Sequence, residues 1–384
     1  MSSTVSAPAR RMPRTASGFL LLLASGTVLL WIAIHHYPAL GPALADGARA
    51  LVGPAPVPWL EDRAYGAQDA YQRWRYGDAQ PTAYWAPPPA DSAVPARPES
   101  AFPPAPVDPP HAKVALEGDG SWTTIADPHG EDPVLVKTQL HPDPARPFAV
   151  VAVIAMDLAR VRLHAVPGYL EPVSSALPRE VRRAKVAKAD WASLVAGFNG
   201  GFQVMHGRWG MQVEGLTLVA PRPEGCTVAR YRDGSTRIDT WDRLARTEAG
   251  MAFFRQAPPC LVESGSAHPE SRDPFNTSWG VSVDGGTIIR RSGLGLDRTG
   301  QVAFYAMGDS LSAGSLAQAL RTAGAWQAMQ LDVNWAFPRF VVYDGRTDGP
   351  PRVREAIGPI RNWTSDEFVE KASDRDFFYV TRNR

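Results

Sequence analysis

Cysteine is scarce in this chain of 384 residues, which contains two, Cys226 and Cys260. Neither stands at the short Cys–Cys or Cys–His spacing of a zinc site, and the eight histidines are scattered. We therefore expect no metal site and no cofactor. Outside the cytoplasm the two cysteines can form one disulfide, which would stabilise the fold by about 3–4 kcal/mol through loop closure. Two buried thiols that lie too far apart to bond are the alternative.

An excess of charge of either sign is also lacking. Forty Lys and Arg residues face 39 Asp and Glu residues, which gives a formal net charge of +1. A nucleic-acid-binding domain usually carries a clear basic excess, so the sequence predicts no nucleic-acid partner. Internal repeats are not evident. A chain of this length with 44% hydrophobic residues can bury one large core.

The N-terminus combines basic residues with a long apolar run. Residues 1–17 contain three arginines and no acidic residue, and the apolar run covers 18–37. About 20 apolar residues span a bilayer, and basic flanks stay in the cytoplasm. The sequence therefore predicts a single-pass membrane protein with a cytoplasmic tail, a transmembrane anchor and a periplasmic or extracellular main domain. A signal peptide cleaved after Ala45 is the alternative, although its apolar segment would be unusually long.

Residues 41–113 are rich in proline and alanine, as in an extended linker. Within this linker, apolar residues recur at alternating steps of four and three, at Leu60, Ala64, Ala67, Tyr71 and Trp74. This spacing predicts a short amphipathic helix over 60–74. Its apolar face is compatible with a homodimer contact, with a helix resting on the membrane, or with docking on the chain's own domain.

The main domain is expected over 114–384, as an α+β fold with a twisted mixed β-sheet core and flanking helices. Within it, residues 288–332 show two strand patterns, then a helix that Ser312 caps, then a third strand. The first strand carries Arg291, and the third delivers Asp332 at its carboxyl end. This order predicts a polar site on the sheet.

A second candidate stretch follows an apolar strand further upstream. There, Asn199 precedes Gly200 and Gly201, and glycines let a ligand approach backbone N–H groups closely. A simple turn is the alternative, because Asn-Gly pairs favour turns. In the polar loop that follows, His206 and Arg208 are candidates for substrate contact. Further candidates for the same role, outside this stretch, are Glu214 and Trp335.

These stretches resemble the phosphodiester glycosidase family. The resemblance rests on Arg291–Asp297, the capped helix, Leu331–Asp332 and Gly197–Phe202, which occur in the family's order. It extends over about residues 148–343. Where the family has Asp-Gly-Gly-Gly-Ser after the third strand, this chain has Asp-Val-Asn-Trp-Ala. The aspartate matches and the glycines do not.

The resemblance implies hydrolysis of the bond between a sugar's anomeric carbon and a phosphodiester. Asp332 would then act as base or nucleophile. Arg291 and the N–H groups of Gly200 and Gly201 would hold the phosphate. Asn199 would orient Asp332 or a sugar hydroxyl.

Two classes of function follow from these motifs. The first is an exoplasmic hydrolase acting on a glycan or sugar-phosphate of a bacterial envelope. The second is a non-catalytic envelope protein that binds glycans or phosphate on the same fold. Trp335 would stack on a sugar or nucleobase in the first case and plug the cleft in the second. A buried ion pair between Arg291 and Asp332, without a catalytic role, is the structural alternative.

Overall fold

The computed structural model describes residues 56–86, 102–130, 132–272, 279, 287–333, 336–346, 348–360 and 363–383, with a few isolated positions before residue 56. The chain divides into two units, Met1–Val57 and Pro58–Arg384. The first unit lies almost entirely outside the described ranges, as does Trp335. All elements named below belong to the second unit, apart from the first two residues of the N-terminal helix.

The predicted single-pass membrane topology is corrected by the structure. Among the described residues, no helix has both the length and the apolar character needed to cross a bilayer. The longest described helix, α1 (Pro56–Tyr76), carries charged residues such as Arg63, Asp69 and Arg73. Such residues are costly to bury in hydrocarbon. Most of the apolar run over 18–37, on which the prediction depended, is outside the described ranges.

The helix predicted over 60–74 is confirmed as part of α1, but its orientation differs from the expected one. Asp69 is buried and accepts hydrogen bonds from Nε and Nη2 of Arg146, both at 2.7 Å. Gln72 accepts a hydrogen bond from Ser310 Oγ at 3.0 Å. The apolar residues Tyr71 and Trp74 point outward and are 57% and 80% exposed. The helix thus docks through polar residues, and a homodimer contact through its apolar face stays a prediction.

Two further α-helices follow α1 in the described part of the chain, α2 (Trp241–Leu244) and α3 (Ala313–Thr322). The strands, numbered along the described residues, are β1 (Thr123–Ile125), β2 (Leu135–Leu140), β3 (Val151–Asp157), β4 (Val161–Val166), β5 (Leu194–Asn199), β6 (Met211–Val213), β7 (Leu216–Val219), β8 (Cys226–Tyr231), β9 (Thr236–Thr240), β10 (Met251–Ala257), β11 (Val262–Glu263), β12 (Ser266–Ala267), β13 (Ile289–Leu296), β14 (Val302–Leu311), β15 (Gln327–Val333), β16 (Phe340–Tyr343), β17 (Val353–Ile357) and β18 (Phe377–Arg382).

These strands confirm an α+β fold but correct the predicted single mixed sheet. They form three sheets, with the orders β1-β2-β3-β14-β13-β15-β11-β12 (sheet I), β7-β6-β10-β8-β9 (sheet II) and β17-β16-β5-β18-β4 (sheet III). Every strand pairing among the described residues is antiparallel. Parallel neighbours need long crossover connections, usually helical. In the described chain, the one α-helix of more than four residues that connects two strands is α3.

The main hydrophobic core joins the three sheets. It contains Ile154 and Leu294 from sheet I, Val228 from sheet II and Phe198 from sheet III. The other face of sheet I is covered by α3, whose leucines lie in a second buried cluster. The predicted cap of α3 is confirmed, because Ser312 Oγ accepts a hydrogen bond from the backbone of the third helical residue at 3.0 Å.

A disulfide connects two of the sheets. Cys226 begins β8 of sheet II, and Cys260 lies two residues before β11 of sheet I. The structure joins these cysteines, with their Cα atoms 4.8 Å apart. Both are fully buried.

Candidate active site

A β-bulge in β15 determines where Asp332 points. In the pairing of β13 with β15, Gly293 lies opposite Gln330 but Arg291 lies opposite Val333, so β15 has one extra residue between these pairs. Opposed residues share a face of the sheet, and a bulge shifts the alternation. Gly293 faces α3, and Arg291, two residues away, shares that face. Asp332 therefore points to the opposite face of sheet I, toward sheets II and III.

Arg291 lies on the α3 side of sheet I and is fully buried. Its guanidinium donates to the backbone carbonyls of Leu311 and Thr287 and to Gln330 Oε1, at 2.8–3.0 Å. In the described part of the chain, no ion pair joins it to Asp332, so neither the expected convergence nor the alternative ion pair is found. A direct role of Arg291 in holding substrate stays a prediction.

Asn199, at the end of β5, is buried and ties sheet III to sheet I. Its Oδ1 accepts a hydrogen bond from Tyr305 Oη at 2.7 Å, and its Nδ2 donates to Ser292 Oγ at 2.9 Å. Ser292 in turn donates to the backbone carbonyl of Asp332 at 2.9 Å. The amide of Asn199 thus positions the strand that carries Asp332, through Ser292 and not through the carboxylate.

The two glycines after Asn199 contact an acidic residue that the sequence analysis missed, Asp376. Gly200 N donates to the Asp376 carbonyl at 3.0 Å, and Gly201 N donates to its Oδ2 at 2.9 Å. A Cβ at Gly200 would overlap the Asp376 carboxylate. The glycines are therefore required for close packing on Asp376, and the N–H groups expected to hold a phosphate are bonded within the protein. The carbonyl of Gly200 also accepts from Asp332 N at 3.0 Å.

Asp376 forms a buried ion pair with Arg255. Arg255 Nε donates to Asp376 Oδ2 at 2.9 Å, and its Nη2 donates to Oδ1 at 3.1 Å. Both side chains are at most 2% exposed. Arg255 also donates to the carbonyls of Phe202 and Trp209. One signal of this pair was available in the sequence, since an arginine follows four apolar residues in strand β10.

The carboxyl group of Asp332 is the least satisfied acid of this cluster. It is 5% exposed; its Oδ1 accepts from Val333 N at 2.9 Å, and its Oδ2 has no hydrogen-bond partner within the described residues. Burial raises the pKa of Asp332 to about 6, and the charge of Asp376 acts in the same direction. The charges of Arg375 and Arg255 lower this pKa but do not cancel the effect of burial.

Arg375 is the cation that acts most strongly on Asp332. Its guanidinium lies 4.5 Å from the centroid of the Phe337 ring, as in a cation–π contact. Its Nη1 is buried and has no hydrogen-bond partner among the residues that the structure describes. A buried polar atom without a partner is costly, and a bound ligand is one way to satisfy it. The cluster therefore presents one unbonded carboxylate oxygen and one unbonded guanidinium nitrogen.

The other predicted contact residues lie at different distances from this cluster. His206 and Arg208 belong to a loop with a 3₁₀ turn (Val204–His206), which Arg255 contacts through the Trp209 carbonyl at 3.2 Å. Glu214 is exposed in the turn between β6 and β7 and lies opposite Ala252. Ala252 is three residues from Arg255 along β10, so Glu214 lies about 10 Å from Arg255.

In the described ranges, no group of three or more His, Cys, Asp or Glu residues could hold a metal ion.

Comparisons with known proteins give distant resemblances. No family model and no curated protein matches the chain. The catalytic domain of zebrafish N-acetylglucosamine-1-phosphodiester alpha-N-acetylglucosaminidase, auto-inhibited by its pro-peptide, is 15% identical and has a TM-score of 0.41, covering 67% of this chain and 87% of that chain. A hypothetical protein from Synechocystis is 11% identical with a TM-score of 0.37, covering 65% and 62%. A Burkholderia pseudomallei K96243 protein described as exported is 12% identical with a TM-score of 0.35, covering 61% and 74%. These values describe a distant likeness of fold.

Proposed function

We propose that this protein is a hydrolase that cleaves a sugar-1-phosphodiester, with Asp332 as the carboxylate that handles the proton. The observation that carries the proposal is the buried carboxyl group of Asp332, whose pKa is raised to about 6 and whose Oδ2 has no partner among the described residues. A group that titrates close to neutral pH can both accept and release a proton during turnover. The choice of substrate rests on the motifs shared with the phosphodiester glycosidase family.

The proposed reaction needs few groups. The ionised Asp332 takes a proton from water, and the water oxygen attacks the anomeric carbon. The bond between that carbon and the phosphodiester oxygen breaks, and a phosphomonoester leaves with the bonding electrons. Because this leaving group is already a stable anion, strong acid assistance is less necessary than for an ordinary glycoside. Arg375 would stabilise the charge that builds up on the phosphate.

The remaining polar residues of the cluster are assigned positioning roles. The Arg255–Asp376 ion pair fixes Gly200 and Gly201, and the Gly200 carbonyl holds the backbone N–H of Asp332. Outside this cluster, we assign Arg291 to the support of sheet I on its α3 side, because it donates hydrogen bonds to Leu311, Thr287 and Gln330.

A second candidate function is binding of a glycan or phosphate without turnover. The resemblance to the family implies that the N–H groups of Gly200 and Gly201 hold the anion in the transition state. Here both N–H groups donate to Asp376 instead, which favours this second function.

A substrate screen with matched variants separates the two functions. We would assay the full chain against N-acetylglucosamine-1-phosphodiesters and hexose-1-phosphodiesters and compare it with Asp332→Asn and Asp348→Asn. Asp348 is a suitable control because its side chain is 86% exposed. The proposal expects turnover to fall by at least roughly 10²-fold in Asp332→Asn and to be unchanged in Asp348→Asn. Binding of these compounds without hydrolysis by the wild-type protein would instead support the second function.

A further inference from the structure

A polar cavity lies away from Asp332, between β4 of sheet III and the β8–β9 hairpin of sheet II. It has a volume of about 290 Å³, and its lining includes Arg162, Arg230, Thr236 and Asn383. Arg162 pairs with Thr381 of β18, and Thr381 lies five residues beyond Asp376. At the rise of an extended strand this places the cavity about 17 Å from the Asp332 cluster. The two sites are therefore separate.

Two arginines face this cavity without an acidic partner. Within the described residues, neither Arg162 nor Arg230 makes an ion pair or a side-chain hydrogen bond. Other arginines of these sheets are paired, as Arg255 is with Asp376. Arg230 is partly buried, and its pKa is lowered from its ordinary value by burial and then by the charge of Arg162. Two guanidinium groups that repel each other beside one cavity favour the binding of an anion.

The neighbouring acids do not neutralise these arginines. Asp233 also lines the cavity, but its Oδ1 accepts hydrogen bonds from the backbone and hydroxyl of Ser235, at 2.8 and 2.7 Å. Asp190 accepts from the Tyr379 hydroxyl at 2.6 Å. His164 stacks on Tyr379 and adds no charge near neutral pH, because burial lowers its pKa to about 4. The lining thus keeps a positive charge from two arginines against one aspartate.

We propose that this cavity binds a phosphate group, either free or at the end of a phosphomonoester. Each guanidinium presents parallel N–H donors that match two oxygens of a phosphate, and a tetrahedral dianion has enough oxygens for two such forks. A carboxylate has two oxygens, which are enough for one such fork and leave the second guanidinium without an anionic partner. The volume also exceeds that of a bare phosphate, which leaves room for a small organic group. This inference does not depend on the hydrolase proposal.

Calorimetry with inorganic phosphate and with glycerol 2-phosphate tests the site on the full chain. We expect saturable binding that weakens at least ten-fold in both Arg162→Gln and Arg230→Gln. Arg237→Gln is the matched control: Arg237 lies on the same hairpin but stacks on Tyr231, 4.9 Å from its ring centroid. Its variant should bind as the wild type does. Asp332→Asn should also leave this binding unchanged, which distinguishes the cavity from the proposed active site.

A measurement on the wild-type protein covers the case of a variant that fails to fold. Phenylglyoxal modifies accessible arginines, and peptide mapping shows which ones react. Phosphate should slow modification of Arg162 and Arg230 and leave that of Arg237 unchanged. The proposal is overturned if neither compound binds, if both arginine variants bind like the wild type, or if phosphate gives all three arginines equal protection. Tighter binding of glycerol 2-phosphate would favour a phosphomonoester as the ligand, and tighter binding of inorganic phosphate would favour free phosphate.

Discussion

At the scale of single residues, Asp332 combines a chemical role with a cost in stability. The ordinary pKa of an aspartate is 3.8, and burial raises the pKa of Asp332 to about 6 in the folded chain. Below 3.8 both states are protonated, so the residue has no effect on stability. Between pH 3.8 and about pH 6, Asp332 is ionised in the unfolded chain but still protonated in the folded chain, so the free energy of unfolding falls as pH rises. Above about pH 6 this decrease in the free energy of unfolding is complete and amounts to roughly 3 kcal/mol.

The first prediction is that Asp332→Asn stabilises the protein at pH 8. Asparagine has nearly the same shape and can keep the bond from Val333 N, but it carries no charge to desolvate. We expect the free energy of unfolding to rise by about 1–3 kcal/mol at pH 8 and to change little at pH 3.5. Urea unfolding at both pH values measures this change in the free energy of unfolding, with Asp348→Asn as the control. A loss of stability at pH 8 would show that the ionised carboxylate is held by favourable contacts.

At the scale of elements, the Arg255–Asp376 ion pair connects three strands. Arg255 belongs to β10 of sheet II, Asp376 directly precedes β18 of sheet III, and both contact the chain just after β5. Removing one partner of a buried pair leaves the other charge uncompensated, which is much more costly than replacing both partners together.

The second prediction therefore concerns a double-mutant cycle on this pair. Arg255→Met and Asp376→Leu should each lower the free energy of unfolding by about 3–5 kcal/mol, and the double variant should lower it by less than either. Arg243→Met is the matched control, because Arg243 pairs with Asp239 while being 55% exposed and should cost under about 1 kcal/mol. Urea unfolding of each variant measures the cycle. Additive losses would mean that the two charges are not coupled.

Local patterns predicted the elements of the site but not the arrangement of its side chains. The α3 helix, its Ser312 cap and the strand before Asp332 follow from spacing within a few residues. The face on which Asp332 lies depends on a bulge that exists only in the pairing of β15 with β13. The partner of Arg255 is 121 residues away, so the arginine in β10 indicates a buried charge but not which acid pairs with it.

At the scale of the whole molecule, the disulfide is a covalent link between sheets II and I. Cys226 and Cys260 enclose a segment with a sequence separation of 34, which contains β9 and β10. A crosslink of this length restricts the unfolded chain and should stabilise the fold by about 3–4 kcal/mol.

The third prediction is that Cys226→Ala with Cys260→Ala loses about this free energy of unfolding. Both cysteines are buried, and alanine lacks only their sulfur atoms, so the additional cavity at each position is small. Chemical unfolding of the double variant and of the wild-type protein, with and without reductant, measures the loss. Reductant should weaken the wild-type protein alone. Equal stability of wild-type protein with and without reductant would show that the bond does not contribute.

The fourth prediction is the most direct test of Asp332 as the proton-transferring group, and it is the pH dependence of kcat/KM. With a sugar-1-phosphodiester that the wild-type protein hydrolyses, the rate should rise with pH through an ionisation near 6, because the basic form of Asp332 is the active one. Asp332→Asn should be slower by at least roughly 10²-fold and should lack this ionisation. A wild-type profile without an ionisation near 6, or an Asp332→Asn variant that hydrolyses the substrate at the wild-type rate, would contradict the proposed role.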